Sequence, residues 1–502
     1  MVASGSPATT ESSQEQRLTL GVTFGPLALA IILGLILRSY RLGADSLWVD
    51  EFATLGLILH PPGEILRLSS QVNFIPPLYF LLVHGVYELL GASEVSLRLL
   101  SVFAGVCTIP VVWLLTQELT SSRQAANTMA LLLAVNPLHL WYSQEARPYS
   151  LLLFFGASAL LALERAVRRG RPVYWIGFSV CLACAFLTHS TGVMFALVGW
   201  IWTLWSLERR RFVRPLLLAS LGAGLFCLPF GLAIAQALVA THGTFHSPPR
   251  AVTGLELPYT LLTYLGGYSF GPAPRDIQNL GASAAVRAHL IQTIVAAAAL
   301  MGMVVACWRY RNAHMLLYVI VLAVFLIGMF VLSLVSGKAY NVRYTVPGIV
   351  GLLGVVSIQL SMLPVRFRLY ALCGLMALSL WADGQWFWAS RYWKEDSRAA
   401  VQWLRAELPA HSIVAVAPSY SVGPLEYYSQ LANIELRYVP VSWTGSAAGD
   451  SAAALVLTRL HHVPNWRELR SRFLGSASSG VLRGQVAGYE LLIRSLADTH
   501  SR

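Results

Sequence analysis

The sequence predicts an α-helical protein that crosses a membrane about eleven times and ends in a small α/β domain outside that membrane. Of its 502 residues, 56% are hydrophobic and only 12% are charged, about half the charged share of a soluble domain. Apolar runs of roughly 17 to 25 residues recur over the first three quarters, each long enough to cross about 30 Å of hydrocarbon as a helix. The chain therefore does not fold as a single water-soluble globular domain.

The apolar runs set the predicted domain organisation. A disordered tail covers residues 1–18, a transmembrane unit 19–385 and an external α/β domain 386–502. The predicted spans cover approximately 20–38, 98–119, 125–141, 149–165, 172–188, 191–207, 215–239, 287–307, 314–335, 345–362 and 369–385.

Arginine residues set the predicted orientation. The net charge is +12, but the basic residues lie in short loops between apolar runs, which argues against nucleic-acid binding. Alternate loops carry them, and the positive-inside rule makes those loops cytoplasmic. The N-terminus is then cytoplasmic and the C-terminal domain lies outside the cell's inner (plasma) membrane. The loop arginines are Arg123, Arg165, Arg168, Arg169, Arg171, Arg209, Arg210, Arg211, Arg214, Arg309, Arg311, Arg366 and Arg368.

The first external region, about 40–97, combines acidic residues with apolar stretches. Its segment 77–90 is apolar but short, and counting it as a crossing would move the arginine-rich loops outside. It is therefore predicted to be a juxtamembrane helix. The C-terminal domain is predicted to contain helices at 398–408 and 465–473, strands at 413–417, 435–441 and 454–458, and a hairpin at 480–494. We expect this domain to be accessory, to fold on its own and to hold no catalytic acid.

Asp50 and Glu51 are the leading candidates for catalysis. They lie about nine residues beyond the first span, beside the interfacial aromatics Trp48 and Phe52. A carboxylate partly desolvated by an aromatic wall gains basicity and suits a general base. The alternative is an interfacial acid solvated by headgroup water.

Cations at the outer ends of several spans are candidates for binding a phosphate. They oppose the charge bias of the topology, although snorkelling to lipid headgroups and, for Arg147, an ion pair with Glu145 are alternatives. These residues are Arg98, Arg147, Lys338 and Arg343. Further polar and aromatic side chains near the same face are candidates for binding substrate: Tyr79, Glu145, Tyr149, His189, Tyr340 and Tyr344.

Four segments together resemble a known family. They are LWVDE in the first external region, IPPLYF after it, SLRLLS at the start of the second span and WYSQEARPYS between the third and fourth spans. With KAYNVRYTVP and the tail that begins WKEDSRAAVQWL, the chain resembles the glycosyltransferase family 39 group of the GT-C class. This group includes protein O-mannosyltransferases and bacterial aminoarabinose transferases.

The resemblance implies a hexosyl or pentosyl transfer with inversion, from a polyprenyl-phosphate sugar to a lipid, glycan or protein acceptor. The acid of the WxDE stretch would be the general base, which corresponds to Asp50 with Glu51 beside it. Many members have His before the Pro-Pro pair, and the aminoarabinose enzymes have Glu-Lys, where this chain has Phe74-Ile75. No metal ligand is assigned, no cofactor is required, and a divalent metal is left as an option.

Two other function classes are weighed. A transporter or flippase of lipid-linked sugars would show inverted repeats and polar groups near the bilayer midplane. Here the polar residues gather at the outer face, which favours an enzyme. A non-catalytic assembly protein would use the external domain to bind partners and would tolerate the loss of Asp50.

Overall fold

The computed structural model describes residues 25–72, 75–240, 254–273, 276–277, 282–309, 313–336, 340–441, 452–459, 463, 466–475 and 481–494. The predicted tail 1–18 and the candidate Lys338 lie outside these ranges. Within them the chain forms a bundle of helices followed by a five-stranded sheet.

The helices of the bundle are α1 (Gly25–Ser39), α2 (Val49–Ile58), α3 (Pro62–Arg67), α4 (Leu78–Leu90), α5 (Glu94–Thr120), α6 (Arg123–Ala134), α7 (Pro137–Ser143), α8 (Tyr149–Arg169), α9 (Pro172–Thr188), α10 (Met194–Trp205), α11 (Val213–Ala240), α12 (Glu256–Gly266), α13 (Ala282–Ala288), α14 (Leu290–Arg309), α15 (Leu316–Ser336), α16 (Gly348–Ser361) and α17 (Val365–Trp388).

The prediction of a helical membrane protein is confirmed. Five helical segments in the described part of the chain are long and apolar enough to cross a membrane: α5, α8, α15, α17 and Arg209–Ala237, which includes most of α11. Each of the other predicted spans overlaps one or two helices, but these are shorter or less fully described. The number of eleven crossings therefore stays a prediction.

One predicted span is broken. The run at 125–141 forms two helices, because Pro137 cannot continue a helix and Asn136 caps the next one by accepting a hydrogen bond from the His139 N–H at 2.9 Å. The Asn136 amide also donates to the carbonyl of Tyr264 at 2.8 Å. The twelve residues of α6 rise only about 18 Å, so the break turns α7 toward the candidate site.

The bundle is held by apolar packing among α5, α6, α8 and α9. Ile109, Val112, Met129, Leu133 and Leu152 are all completely buried in this core. The outward face of α11 instead exposes Leu218, Leu225 and Phe226. Large apolar side chains exposed in this way suit contact with lipid rather than water.

The C-terminal unit contains α18 (Ser397–Glu407), β1 (Ile413–Ala417), α19 (Val422–Leu431), β2 (Arg437–Pro440), β3 (Ala454–Thr458), α20 (Trp466–Gly475), β4 (Val481–Val486) and β5 (Tyr489–Arg494). The strand order is β2-β1-β3-β5-β4. The first three are parallel and β5 pairs antiparallel with both β3 and β4. The helix α19 was not predicted, because its apolar positions are interrupted by the Gly423-Pro424 pair.

The C-terminal unit contacts the first external region through several hydrogen bonds. The Tyr428 hydroxyl accepts from the Leu47 N–H at 2.7 Å and donates to Glu94 at 2.9 Å. The Ser397 N–H donates to the Ser46 hydroxyl at 2.9 Å. Arg398 forms an ion pair with Glu94. These contacts place the start of the C-terminal unit beside the N-terminus of α2.

Candidate active site

The candidate site is built around the first turn of α2. Trp48 is the N-cap of this helix, and Asp50 and Glu51 follow it directly. Consecutive helical residues point about 100° apart, so the two carboxylates face different surroundings. The positive end of the helix dipole favours both negative charges.

Glu51 faces the interior and is completely buried. Its two oxygens accept from Arg98 in a bidentate pair, at 2.8 Å from Nε and 2.6 Å from Nη2. One of them also accepts from the Ala146 N–H at 2.8 Å. Burial alone would raise the pKa of Glu51, but Arg98 outweighs that effect and the pKa is lowered. The carboxylate is ionised and has no face open to a substrate.

Arg98 uses all five of its N–H groups inside the protein. Besides Glu51, it donates to the carbonyls of Leu42, Asp45 and Ser46 at 2.7 to 3.2 Å. A guanidinium has five donors, so none is left for a ligand. The structure therefore favours a positioning role for Arg98, which ties α5 to the segment before α2, over the predicted contact with phosphate.

Asp50 faces the opposite side and keeps 22% of its side chain exposed. Its Oδ2 accepts from Nη1 of Arg343 at 2.8 Å. Arg147 reaches the same turn, where Nη1 donates to the Asp50 carbonyl at 3.2 Å and to the Thr54 hydroxyl at 3.4 Å. The structure thus brings together one predicted acid and two of the predicted cations, from segments almost 300 residues apart in sequence.

The expected rise in the basicity of Asp50 is not what the structure gives. Burial does act to raise its pKa, but the guanidinium groups of Arg147 and Arg343 outweigh burial and hold the pKa below its ordinary value of 3.8. Asp50 is therefore ionised over the physiological pH range. Its affinity for a proton depends on the distances from its carboxylate to the guanidinium groups of Arg147 and Arg343.

Arg147 and Arg343 are incompletely paired. The Nε of each is buried and has no hydrogen-bond partner among the described residues. Leaving a buried donor unpaired costs roughly 1–3 kcal/mol, more for charged groups. Two such donors on neighbouring guanidinium groups would be satisfied by the oxygens of one anion.

An aromatic row lies beside these arginines. The His189 ring is 5.5 Å from the rings of both Tyr149 and Tyr344, measured between centroids. The Tyr344 hydroxyl accepts from Nη2 of Arg343 at 3.3 Å. Three of the predicted substrate-binding residues therefore line one side of the arginine pair, where flat apolar surfaces could hold a sugar ring or the start of a lipid chain.

Glu145 pairs with Lys394 and not with Arg147, whose ion pair with Glu145 was the alternative to a role in binding phosphate. Glu145 is almost fully buried and pairs with Lys394 at 2.7 Å, and it also accepts from the Trp141 indole at 2.8 Å. The Lys394 ammonium lies over the rings of Trp48, Trp141 and Trp386 at 4.8 to 5.5 Å. Glu145 therefore anchors the start of the C-terminal unit. The signal for Lys394 in the sequence was the WKEDSR segment, in which the lysine precedes four charged or polar residues.

Two other predicted substrate-binding tyrosines use their hydroxyl groups in hydrogen bonds inside the protein. Tyr79 is completely buried and its hydroxyl donates to Ser101 at 2.9 Å; Ser101 in turn donates to the Arg147 carbonyl at 3.2 Å. Tyr79 thus supports the backbone of Arg147 through Ser101. The Tyr340 hydroxyl pairs with Thr260 at 2.9 Å.

Arg459 of the C-terminal unit was missed by the sequence analysis. It pairs with Glu395 at 2.8 Å, lies 5.1 Å from the centroid of the Trp48 ring and helps to lower the pKa of Asp50. The indole Nε1 of Trp48 is buried and has no partner among the described residues. No motif surrounds Arg459, and only the position of β3 brings it to the site.

Metal ligands do not cluster in the part of the chain that the structure describes: no three His, Cys, Asp or Glu side chains lie close enough together to hold an ion. The chemistry of the site itself, one carboxylate against two guanidinium groups with unused donors, suits an anionic ligand rather than a cation.

Residues 75–232 match a family described as dolichyl-phosphate-mannose-protein mannosyltransferase. A relative in Aquifex aeolicus, described as an uncharacterized protein, is 26% identical over 167 residues, or 32% of this chain. The chain spans about a third of that relative's length, since the match covers 33% of it.

Solved structures with a similar fold cover nearly the whole chain. ArnT from Cupriavidus metallidurans in the apo state has a TM-score of 0.58 at 13% identity, covering 96% of this chain and 100% of that one. The same protein bound to undecaprenyl phosphate has a TM-score of 0.54 at 13% identity, covering 95% and 100%. AglB from Archaeoglobus fulgidus, in complex with an inhibitory peptide and a dolichol-phosphate, has a TM-score of 0.51 at 13% identity, covering 95% and 74%.

Proposed function

We propose that the chain is a GT-C glycosyltransferase of the family 39 type and that it moves a sugar from a polyprenyl-phosphate carrier to an acceptor hydroxyl, a proposal supported by the family match over residues 75–232 and by the shared fold. The acceptor is a lipid, a glycan or a protein, and the reaction takes place on the extracytoplasmic face. The observation that carries this proposal is the arginine pair beside Asp50, whose two buried Nε–H donors have no partner in the part of the chain that the structure describes.

The donor phosphate lies against Arg147 and Arg343 in this proposal. Its oxygens take the two unused donors, and the negative charge replaces part of what Asp50 now supplies to Arg343. Proteins of the same fold bind such carriers, since ArnT was solved with undecaprenyl phosphate and AglB with a dolichol-phosphate. Tyr149, His189 and Tyr344 flank the sugar or the first lipid units. Lys338 stays a candidate for the same phosphate.

Asp50 accepts the proton of the acceptor hydroxyl. The hydroxyl oxygen forms a bond to the anomeric carbon while the bond from that carbon to the phosphate oxygen breaks, and the configuration inverts. The polyprenyl phosphate leaves with the bonding electrons, and the arginine pair stabilises its growing charge. Because the phosphate draws Arg343 toward itself, donor binding weakens the Arg343–Asp50 pair and raises the basicity of the carboxylate at the moment it is needed.

Steady-state transfer assays on the purified full chain, with a polyprenyl-phosphate sugar and detection of the released polyprenyl phosphate, test the proposal. Loss of a positioned general base typically costs about 100- to 10,000-fold in rate, so Asp50→Asn should lower kcat by that much and leave donor binding intact. Glu88→Gln removes an exposed acid of α4 and serves as the matched control.

Two outcomes would contradict this assignment. An Asp50→Asn variant with near-normal kcat would remove Asp50 as the base. A wild-type protein that binds the donor and moves it across vesicles without releasing polyprenyl phosphate would be a transporter.

A further inference from the structure

A second polar cavity lies at the other end of the helix bundle. Its volume is about 260 Å³, and it is placed between the C-terminal ends of α5, α8 and α10 and the N-terminal end of α15. Leu119 of α5 lines it, 21 residues after Arg98, which corresponds to about 30 Å along the helix. Its principal polar and aromatic lining residues are Glu164, Arg168, Trp202, Trp205, Arg209 and His314.

Glu164 organises the charges of this cavity. It is completely buried, and its Oε1 accepts from Nε of Arg168 at 2.7 Å while its Oε2 accepts from Nη1 of Arg209 at 3.3 Å. The Trp202 indole also donates to Oε2, at 3.1 Å. One carboxylate thus fixes two guanidinium groups, and these three side chains carry a net charge of +1.

Both arginines keep donors for a ligand. Arg168 uses Nε for Glu164 and Nη2 for the Leu119 carbonyl at 3.2 Å, which leaves Nη1 without a partner among the described residues. Arg209 uses only Nη1 there, and its guanidinium carbon lies over the Trp202 ring at 4.0 Å from the centroid. A stacked and anchored guanidinium presents its remaining N–H groups in a fixed direction, which suits a phosphate.

The cavity opens onto the apolar surface of the bundle. Trp205 is 67% exposed at its rim. Leu204, one residue before it, and Val319 of α15, which packs against α10, are also exposed. Exposed apolar side chains on two packed helices, suited to contact with acyl chains, therefore accompany the charged cavity, and an exposed Trp beside arginines is typical of a membrane interface.

We propose that this cavity binds the phosphodiester headgroup of an anionic phospholipid, with Arg168 and Arg209 on the phosphate and the acyl chains against Trp205 and Val319. The loop arginines predict that this is the cytoplasmic leaflet. The inference does not depend on the proposed reaction, because the cavity lies at the opposite end of α5 and α8. Basic pockets between transmembrane helices are a recognised means of holding acidic headgroups.

Native mass spectrometry of the detergent-purified full chain tests the site by titration with phosphatidylglycerol or phosphatidylcholine. We expect a preference for phosphatidylglycerol that falls about tenfold in Arg209→Gln, since a charge-assisted hydrogen bond is lost. Arg211→Gln, two residues further along and outside the cavity lining, is the matched control and should keep the preference.

A second variant, Glu164→Gln, should strengthen lipid binding, and a gain in binding is not explained by misfolding. Glu164→Gln keeps an acceptor for Arg168 but removes the negative charge, so binding of phosphatidylglycerol should tighten. Equal loss in Arg211→Gln, or no change in either cavity variant, would show that the surface charge alone attracts the lipid and would overturn the site. Competition by inorganic phosphate at concentrations equal to those of the lipid would instead identify a free-anion site and would also overturn the proposal.

Discussion

The two sides of the α2 N-terminus differ in how completely their charges are paired. On the inner side, Glu51 accepts three hydrogen bonds and Arg98 donates all five of its own. On the outer side, Asp50 is held by one arginine, while Arg147 and Arg343 keep buried donors without partners among the described residues. The two neighbouring acids therefore have different roles. The side of Glu51 and Arg98, called the saturated side because all its donors are paired, fixes the backbone. The side of Asp50, Arg147 and Arg343, called the unsaturated side, has donors available to a ligand.

The difference also explains why a sequence motif alone misassigns the arginines. Arg98, Arg147 and Arg343 are equally plausible phosphate ligands by charge and by position in the chain. They differ only in how many of their N–H donors are already used in hydrogen bonds within the protein. A saturated guanidinium contributes to stability, whereas an unsaturated one costs free energy until a ligand is bound.

The largest effect on catalysis is expected from removing both unsaturated arginines. Arg147→Gln combined with Arg343→Gln should lower kcat/KM for the donor by about 100-fold or more, because each charge-assisted hydrogen bond contributes roughly 1.5–3 kcal/mol. Both donor binding and turnover should suffer, since the phosphate is bound in ground and transition states alike. Steady-state kinetics with a polyprenyl-phosphate sugar would measure this.

Arg391→Gln is the control for that double variant. Arg391 is an exposed arginine near the start of the C-terminal unit, and its guanidinium lies over Tyr392. It should leave kcat/KM unchanged. If the double variant kept its donor affinity, the phosphate would have to bind elsewhere and the comparison between the two sides would fail.

The second effect concerns stability and tests the saturated side. Breaking a buried ion pair by removing one partner typically costs about 3–5 kcal/mol, so Glu51→Gln should lower the Tm of the detergent-purified protein clearly. Asp50→Asn, the neighbouring substitution of the same type, should change Tm little. A double variant in which Arg98→Gln accompanies Glu51→Gln should lose less than the sum of the two single variants. Additive losses would show that the pair is not coupled.

Much of this architecture could be predicted from the sequence. The helical bundle followed from the length and composition of the apolar runs, and the strands at 413–417 and 454–458 were found at the residues where they were expected. The broken helix at Asn136-Pro137 was not predicted, although both residues are ordinary signals of a helix start. The apolar residues on both sides concealed it within one run.

The site could be predicted in part, because some of its contacts are local and others are not. Asp50, Arg147 and Arg343 stood out as charges at the ends of apolar runs, and the fold does bring them together. The partners of Glu145 and Trp48 could not be inferred, since Lys394 and Arg459 lie hundreds of residues further along the chain. Their positions depend on how the C-terminal unit packs against α2, which periodicity does not reveal.

The third effect is a shift in pH dependence on the unsaturated side. The pKa of Asp50 is lowered by Arg147 and Arg343 despite its burial, so catalysis that needs its ionised form is retained above that pKa and lost as the pH falls through it. Arg343→Gln removes one of the lowering charges, and the acidic limb of kcat/KM should therefore move to higher pH. Arg391→Gln should leave the limb in place. An unchanged limb in Arg343→Gln would show that Asp50 is not the group that titrates.

The smallest effect on kcat/KM is expected from Arg459→Gln, which tests whether Arg459 belongs to the unsaturated side. This residue of the C-terminal unit lies over Trp48 and contributes to the low pKa of Asp50, but it is already paired with Glu395. Arg459→Gln should therefore change kcat/KM only about threefold to tenfold, in keeping with roughly 1 kcal/mol for a partly exposed charge. Arg483→Gln, on the exposed strand β4, is the control and should have no effect.

Acceptor and donor titrations of Arg459→Gln should be run separately, because a change confined to the acceptor would place the C-terminal unit at the acceptor side of Asp50. A loss as large as that of the Arg147 and Arg343 double variant would instead make Arg459 a third member of the phosphate clamp, and the C-terminal unit would then be part of the catalytic machinery rather than an accessory domain.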